Sequence, residues 1–334
     1  MNPTAGVPAT RVTIRDVARA AGVSRQTVTR AINEMPEISE QTRQRVMETV
    51  DRLGYRPNRF AIDLSRQRTL SVGLIIGTFR NPYYAQLADA FVAELRRRDW
   101  QVVVGTAEHG DAEAISSMAP YVDAIIGYLP FSNEADFSTL ARGVPIVQLE
   151  KRATLPGVHS VELDFEVGIN ALVAALREKG ARRFAMIDAA NRATAGDQNG
   201  SPRRQLFEKA VGSPCVIVTE PESIAGGMNG FRTLLDSDPT IDVVLAFNDL
   251  MAMGAVHSSH LMKIDVPGRV RVVGIDGISL GEAISPSLST LSLETQTVAA
   301  EAAAILAQIF AGASRPIASI TRTVTPRVLW RESA

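Results

Sequence analysis

"GVSRQTVTRAIN", Gly22 to Asn33, is the stretch on which the reading of the first part of the chain turns. Val28, Ala31 and Ile32 recur at helical spacing and supply a stripe for burial, which leaves Arg25, Gln26, Thr27, Arg30 and Asn33 free to touch something else. Gly22 permits a tight turn, Val23 can tuck under it, and Ser24 caps the helix that follows. Upstream, "TIRDVARAAGV" offers Thr13 and Asp16 as a capping pair, with Val17, Ala18 and Ala21 as an apolar stripe. Helix, short glycine turn, helix is the helix-turn-helix layout, and it puts Arg25 and Gln26 at the exposed start of the second helix. From there an arginine can grip guanine O6 and N7, and a glutamine adenine N6 and N7, in a major groove.

Working outward, a third helix is expected from Ser39, with Val46, Val50 and Leu53 one face apart and Gly54 stopping it. "YRPNRFAIDLSRQRT" comes next, where Asn58 can cap a short helix bearing Ala61 and Leu64. A helix this short is marginal alone in water, so it is expected to order only against DNA and a partner subunit. Residues 1–68 hold twelve arginines, no lysine and seven acids, a net +5, which leaves −6 for the rest of a chain whose formal charge is −1. A basic small domain on an acidic large one points the first part alone toward a polyanion.

At 334 residues the chain exceeds one ordinary domain. The longest apolar runs are too short to span a bilayer, and the N-terminal stretch lacks the apolar core of a secretory signal, so a cytoplasmic location is expected. One cysteine, Cys215, excludes an internal disulfide and a cysteine-cluster metal site.

From Leu70 the chain alternates apolar runs with helical stretches: "LSVGLII", "WQVVVGT", "VDAIIGYL", "VPIVQL", then "RFAMID", "CVIVT", "DVVLAF" and "VRVVGID". Such runs predict parallel sheets, doubly wound, in two lobes. Ligands on open parallel sheets bind beyond the carboxyl ends of the strands. Arg80, Asn81, Tyr83 and Tyr84 follow the first run, Asn248 and Asp249 follow "DVVLAF", and Asp276 ends "VRVVGID". Together they suit a small polar ligand, although Asn248 and Asp249 serve equally well as caps of the next helix.

"VTIRDVARAAGVSRQTVTRAIN" followed by "LGYRPNRFAIDLSRQRT" resembles the DNA-binding end of the lac and gal repressor family of bacterial transcriptional regulators. The resemblance implies that Arg25 and Gln26 read operator bases, with Arg15, Ser24, Thr27, Arg30 and Asn33 around them. It also implies that Asn58, Ala61 and Leu64 lie on a hinge helix, with Leu64 the wedge pushed into the minor groove. It continues to "TPRVLWRES" near the C-terminus as a two-lobed periplasmic-binding-protein-like effector domain. There "NPYYAQL" is similar to the family's cleft segment, and "SPRRQLFEKA" and "VVGIDG" to those whose arginine (Arg203) and aspartate (Asp276) hold the effector. Leu206 stands where the family usually has glycine, and "HGDAEAISSMAPYVDAII" is short for the helix between its strands.

The expected division is a flexible N-terminus at 1–10, a small all-α helix-turn-helix domain at 11–57, a hinge at 58–68 and an effector-binding and dimerisation domain at 69–334. The expected function is a sequence-specific DNA-binding regulator, more a repressor than an activator, controlled by a sugar or nucleoside-like effector. Its partners would be a pseudo-palindromic double-stranded operator and a second copy of the chain. No apolar heptad follows Trp330, so the homodimer is not expected to form tetramers. No membrane contact, cofactor or metal is expected. An enzyme would need a P-loop, a dinucleotide glycine pattern or a nucleophile elbow, and none is present. His257 and His260 have metal-ligand spacing but no third ligand evident nearby in the sequence.

Overall fold

The computed structural model describes residues 14–32, 38–53, 69–107, 111–129, 144–190, 200–212, 214–311 and 318–334. The chain divides between Thr69 and Leu70 into two compact units.

The first unit holds α1 (Ile14–Ala21), α2 (Arg25–Ile32) and α3 (Glu40–Leu53). The expected stripes form its core: Val17, Ala18 and Ala21 of α1 pack with Val28 and Ala31 of α2 and Val46 and Val50 of α3. Gly22 takes φ +65° in the turn, and the Val23 amide donates to the Ala18 carbonyl at 3.0 Å while its side chain packs against this core. Thr13 and Gly54 lie outside the described residues.

The second unit starts with β1 (Ser71–Ile76), α4 (Pro82–Arg96), β2 (Gln101–Thr106), α5 (Asp111–Met118), β3 (Ala124–Gly127), β4 (Ile146–Glu150) and β5 (Val158–Leu163). It continues through α6 (Phe165–Glu178), β6 (Phe184–Ala190), α7 (Pro202–Val211), β7 (Val216–Pro221), α8 (Ile224–Ser237), β8 (Val243–Ala246), α9 (Asp249–Leu261), β9 (Arg271–Asp276) and β10 (Ser289–Ser292). It ends with α10 (Thr295–Ala311), β11 (Thr321–Val324) and β12 (Arg327–Leu329). Two six-stranded sheets result, in the orders β11-β5-β4-β3-β1-β2 and β12-β10-β9-β8-β6-β7. The first is parallel throughout; the second departs from the parallel expectation at its edge, where β12 runs antiparallel to β10. Among its described residues, the shortened segment holds the eight residues of α5 and a 3₁₀ turn at Ala119–Tyr121 ahead of β3.

The chain passes between the lobes at Leu163–Phe165, Ser292–Thr295 and Val324–Arg327. The Asp164 amide donates to the Val324 carbonyl at 2.9 Å and ties two of these crossings together. One apolar cluster runs through them, from Phe91 in the first lobe by way of Leu163, Phe165 and Leu293 to Phe207 and Val243 in the second. The two lobes therefore share a core at the crossings.

All eight apolar runs read from the sequence are strands, and four further strands carry no such run. β5 includes His159 and Ser160, buried because His159 Nδ1 accepts the Ile320 amide at 3.1 Å and the Ser160 hydroxyl meets that of Thr321 at 3.1 Å. β10, "STLS", likewise buries Ser289 and Thr290 through bonds to Ser333, Arg331 and Asp249. Buried polar groups satisfied in this way interrupt the hydropathy signal without weakening the sheet.

Candidate functional site

Both sheets reverse strand order beside their first strands, β1 and β6, and a crevice beyond the carboxyl ends is the place for a ligand in such sheets. A cavity of about 250 Å³ lies there between the lobes. The first lobe contributes Asn81, Tyr83 and Tyr84 after β1, Tyr128 after β3, and Gln148 and Glu150 at the end of β4. The second contributes Arg203 from α7, Glu222 after β7, Phe247 and Asn248 after β8, and Asp276 at the end of β9.

Arg203 is the centre of the arrangement. Pro202 at the start of α7 and the Ser201 hydroxyl, which accepts the Arg204 amide at 3.1 Å, set the helix so that Arg203 turns inward. Its guanidinium lies between the rings of Phe165 and Phe247, 4.9 and 4.6 Å from their centroids, and donates to the Phe247 carbonyl at 2.8 Å. An acid from each lobe flanks it: Asp276 at 3.7 Å and Glu150 at 3.9 Å. Burial works against its charge, but Glu150 and Asp276 outweigh burial and the net shift of its pKa is upward.

Asp276 is reached from the first lobe as well, since Asn81 Nδ2 donates to its Oδ2 at 3.1 Å. Asn81 has a second duty: its Oδ1 caps α4 by accepting the Tyr83 amide at 3.0 Å. Asp276 is buried at φ 140°, and Glu150 stands at φ 73°. Two non-glycine residues in the left-handed half of backbone space at strand ends are strained, and such strain concentrates at functional sites. Burial, opposed by Arg203, pushes the Asp276 carboxyl well above the usual range. Behind it, Asp249 accepts the Gly277 and Ile278 amides at 2.9 and 2.8 Å and the Thr290 hydroxyl at 2.5 Å, and burial raises its pKa to about 6. Asp249 thus braces the Asp276 turn and does not line the cavity.

The tyrosines form the opposite wall. Tyr83 and Tyr128 share a 2.7 Å hydroxyl contact, and the Tyr84 ring meets those of Tyr83 and Tyr128 edge to face at 5.3 and 5.4 Å. Gly77 makes room, because a Cβ there would stand 2.8 Å from the Tyr84 hydroxyl. Asn248 caps α9, its Oδ1 accepting the Met251 amide at 2.9 Å, and it also lines the cavity, where its Nδ2 donates to Glu222 at 2.8 Å.

Of the seven effector-site candidates, six line the cavity; Arg80 is exposed and does not. Sequence reasoning missed Tyr128, Gln148, Glu150, Glu222 and Phe247. Inspecting the residues at the end of every strand, and not of three, would have found them. Leu206 lines a neighbouring cavity of about 430 Å³ that shares Glu150, Arg203 and Phe247 with this one. His257 and His260 are exposed on α9, and among the described residues no three His, Cys, Asp or Glu side chains group as a metal site. Among the described residues no helix is long and apolar enough to cross a membrane.

In the first unit, Ser24 Oγ accepts the Thr27 amide at 3.0 Å and contacts the Thr27 hydroxyl at 2.9 Å, which caps α2. Arg15, Arg25 and Gln26 are exposed, and Thr27 and Arg30 are half-buried. Asn33, Asn58, Ala61 and Leu64 lie outside the described residues.

Residues 13–58 match the family of bacterial regulatory proteins, lacI family, and residues 173–334 match a periplasmic binding protein-like domain. The chain is 28% identical over 330 residues to the HTH-type transcriptional regulator GalR of Escherichia coli (strain K12), covering 96% of this chain and 95% of that one. It is 29% identical to a LacI family transcriptional regulator from Arthrobacter sp. FB24 solved in complex with lactose, with a TM-score of 0.71 over 79% of this chain and 99% of that one. A CelR–cellobiose complex, 26% identical, aligns over 97% of this chain and 100% of the other with a TM-score of 0.66. These relatives are transcriptional regulators and not enzymes. Residues 13–58 thus form a DNA-binding domain of the lacI family of bacterial regulatory proteins, joined to a periplasmic-binding-protein-like domain, and the chain is a DNA-binding transcriptional regulator.

Proposed function

We propose that the chain acts as a homodimeric repressor of a pseudo-palindromic operator and that a sugar or related polyol, bound between the lobes, sets its operator affinity. The observation that carries this reading is the placement of Arg203, buried among one acid from each lobe and a phenylalanine on either side. A ligand that exchanges hydrogen bonds with this group must alter the contacts joining the lobes, and such differential contact shifts a conformational balance. Fixed carboxylates and amides beside aromatic faces suit a molecule with hydroxyl groups around an apolar ring. The lactose and cellobiose in the related structures support the same class. The experiment is a fluorescence-anisotropy titration of labelled operator with the full chain, with and without neutral and aminated sugars. A shift in operator affinity with one sugar class is expected; no shift with any of them contradicts the reading.

On the DNA side, Arg25 and Gln26 are proposed to read base edges from the start of α2, with Arg15, Ser24, Thr27 and Arg30 holding phosphates or the cap. Asn33 and the hinge residues Asn58, Ala61 and Leu64 complete the proposed contacts. Two copies related by a two-fold axis would read the two half-sites. Gln26→Ala is expected to relax base preference at one position of each half-site, at a cost of ~1 to 3 kcal/mol. Unchanged preference in selection from a randomised operator library would remove Gln26 as a base reader.

A further inference from the structure

The charge balance of the cleft narrows the ligand further than the polyol reading on which this inference rests. Among the described residues, three acids line the cavity, Glu150, Glu222 and Asp276, and Arg203 is the buried cation among them. Arg203 is already flanked by Glu150 and Asp276. Lys151 belongs to the exposed rim. Glu222 receives one amide hydrogen from Asn248 and, among the described residues, has no ion-pair partner. The remaining walls are aromatic, with Tyr84 packed edge to face against two tyrosine rings and Phe247 across the cavity. Glu150, Glu222 and Asp276 line the same cavity as the Tyr84 ring; burial and then their charges push its hydroxyl upward, against the opposing charge of Arg203.

Among the described residues, three acids and π-faces meet one buried cation that Glu150 and Asp276 already flank and one lysine at the rim, a balance that disfavours a phosphate or a carboxylate and favours a positive group. The strained backbone at Glu150 maintains this arrangement, since the residue is held at φ 73° with its carboxylate on the cavity. We propose that the ligand of this cleft carries a protonated amine, as an amino sugar does, and presents it to Glu222 and Glu150 beside Tyr84.

The test is isothermal titration of the full chain with matched sets on one skeleton. Glucosamine, glucose, gluconate and glucose 6-phosphate form one set, and the galactose and cellobiose counterparts form the others. Within any set that binds, the amine is expected to bind about tenfold tighter than the neutral sugar, with the acid and the phosphate weaker still. Glu222→Gln keeps the shape and removes the charge, and it is expected to erase the preference for the amine over the neutral sugar. Neutral sugars that bind as tightly as their amines, or a preference left unchanged in Glu222→Gln, would overturn the amine and leave the polyol reading standing. Tightest binding of the acid or phosphate would also overturn it. Absence of binding in every set would overturn both.

Discussion

Replacing Arg203 by alanine abolishes the response to effector. The guanidinium lies between Phe165 and Phe247, donates to the Phe247 carbonyl and faces Asp276 and Glu150. Truncation leaves two acids near one another without the cation between them, empties the space between the rings and removes the donors that a ligand would meet. Losing one partner of a buried, hydrogen-bonded charge group costs about 2 to 5 kcal/mol of binding, which lowers effector affinity by roughly thirtyfold to several thousandfold. Operator binding without effector should persist, because the helix-turn-helix unit folds around its own core. Titration of effector into the operator complex of Arg203→Ala checks this. A response at unchanged effector concentration would move the ligand away from Arg203.

Gly227→Ala should be among the most damaging small substitutions in the second lobe. α8 and α9 pack backbone to backbone: a Cβ on Gly227 would collide with the Met251 carbonyl oxygen, and one on Gly254 with that of Ile224. In an exposed helix the same change would gain about 1 kcal/mol through helix propensity. Here the obstacle is main chain, which cannot swing aside as a side chain can, so overpacking prevails and the net loss is expected near 3 kcal/mol. Urea unfolding followed by circular dichroism reads it as a fall in the midpoint. A midpoint at or above that of the parent chain would show that the helices can separate at little cost.

The sequence made some parts of this architecture legible and hid others for identifiable reasons. The helix-turn-helix unit was readable because turn, cap and stripe all agree over a dozen residues: Gly22, Ser24, Val28 and Ala31 each do what local chemistry expects. Eight strands announced themselves through continuous apolar runs. β5 and β10 did not, because they bury His159, Ser160, Ser289 and Thr290, whose partners come from distant segments that no local pattern reveals. β11 and β12 did not because they are edge strands of four and three residues with mostly half-buried or exposed side chains. The same limit applies to the cavity. Asn81, Tyr83 and Asp276 follow conspicuous runs, whereas Glu222 is brought opposite Glu150 only by the meeting of two lobes. Asp249 was read as a cap or a ligand contact, and it is instead the brace beneath the Asp276 turn.

The most direct test of the account is selection of binding sites from random duplex DNA by the purified full chain, at two salt concentrations, with and without pooled neutral and aminated sugars. Enrichment of a palindrome whose affinity falls steeply with salt and changes with a sugar is the result the account predicts. No enriched sequence under either condition, or enrichment of a single asymmetric half-site indifferent to every sugar, would contradict it.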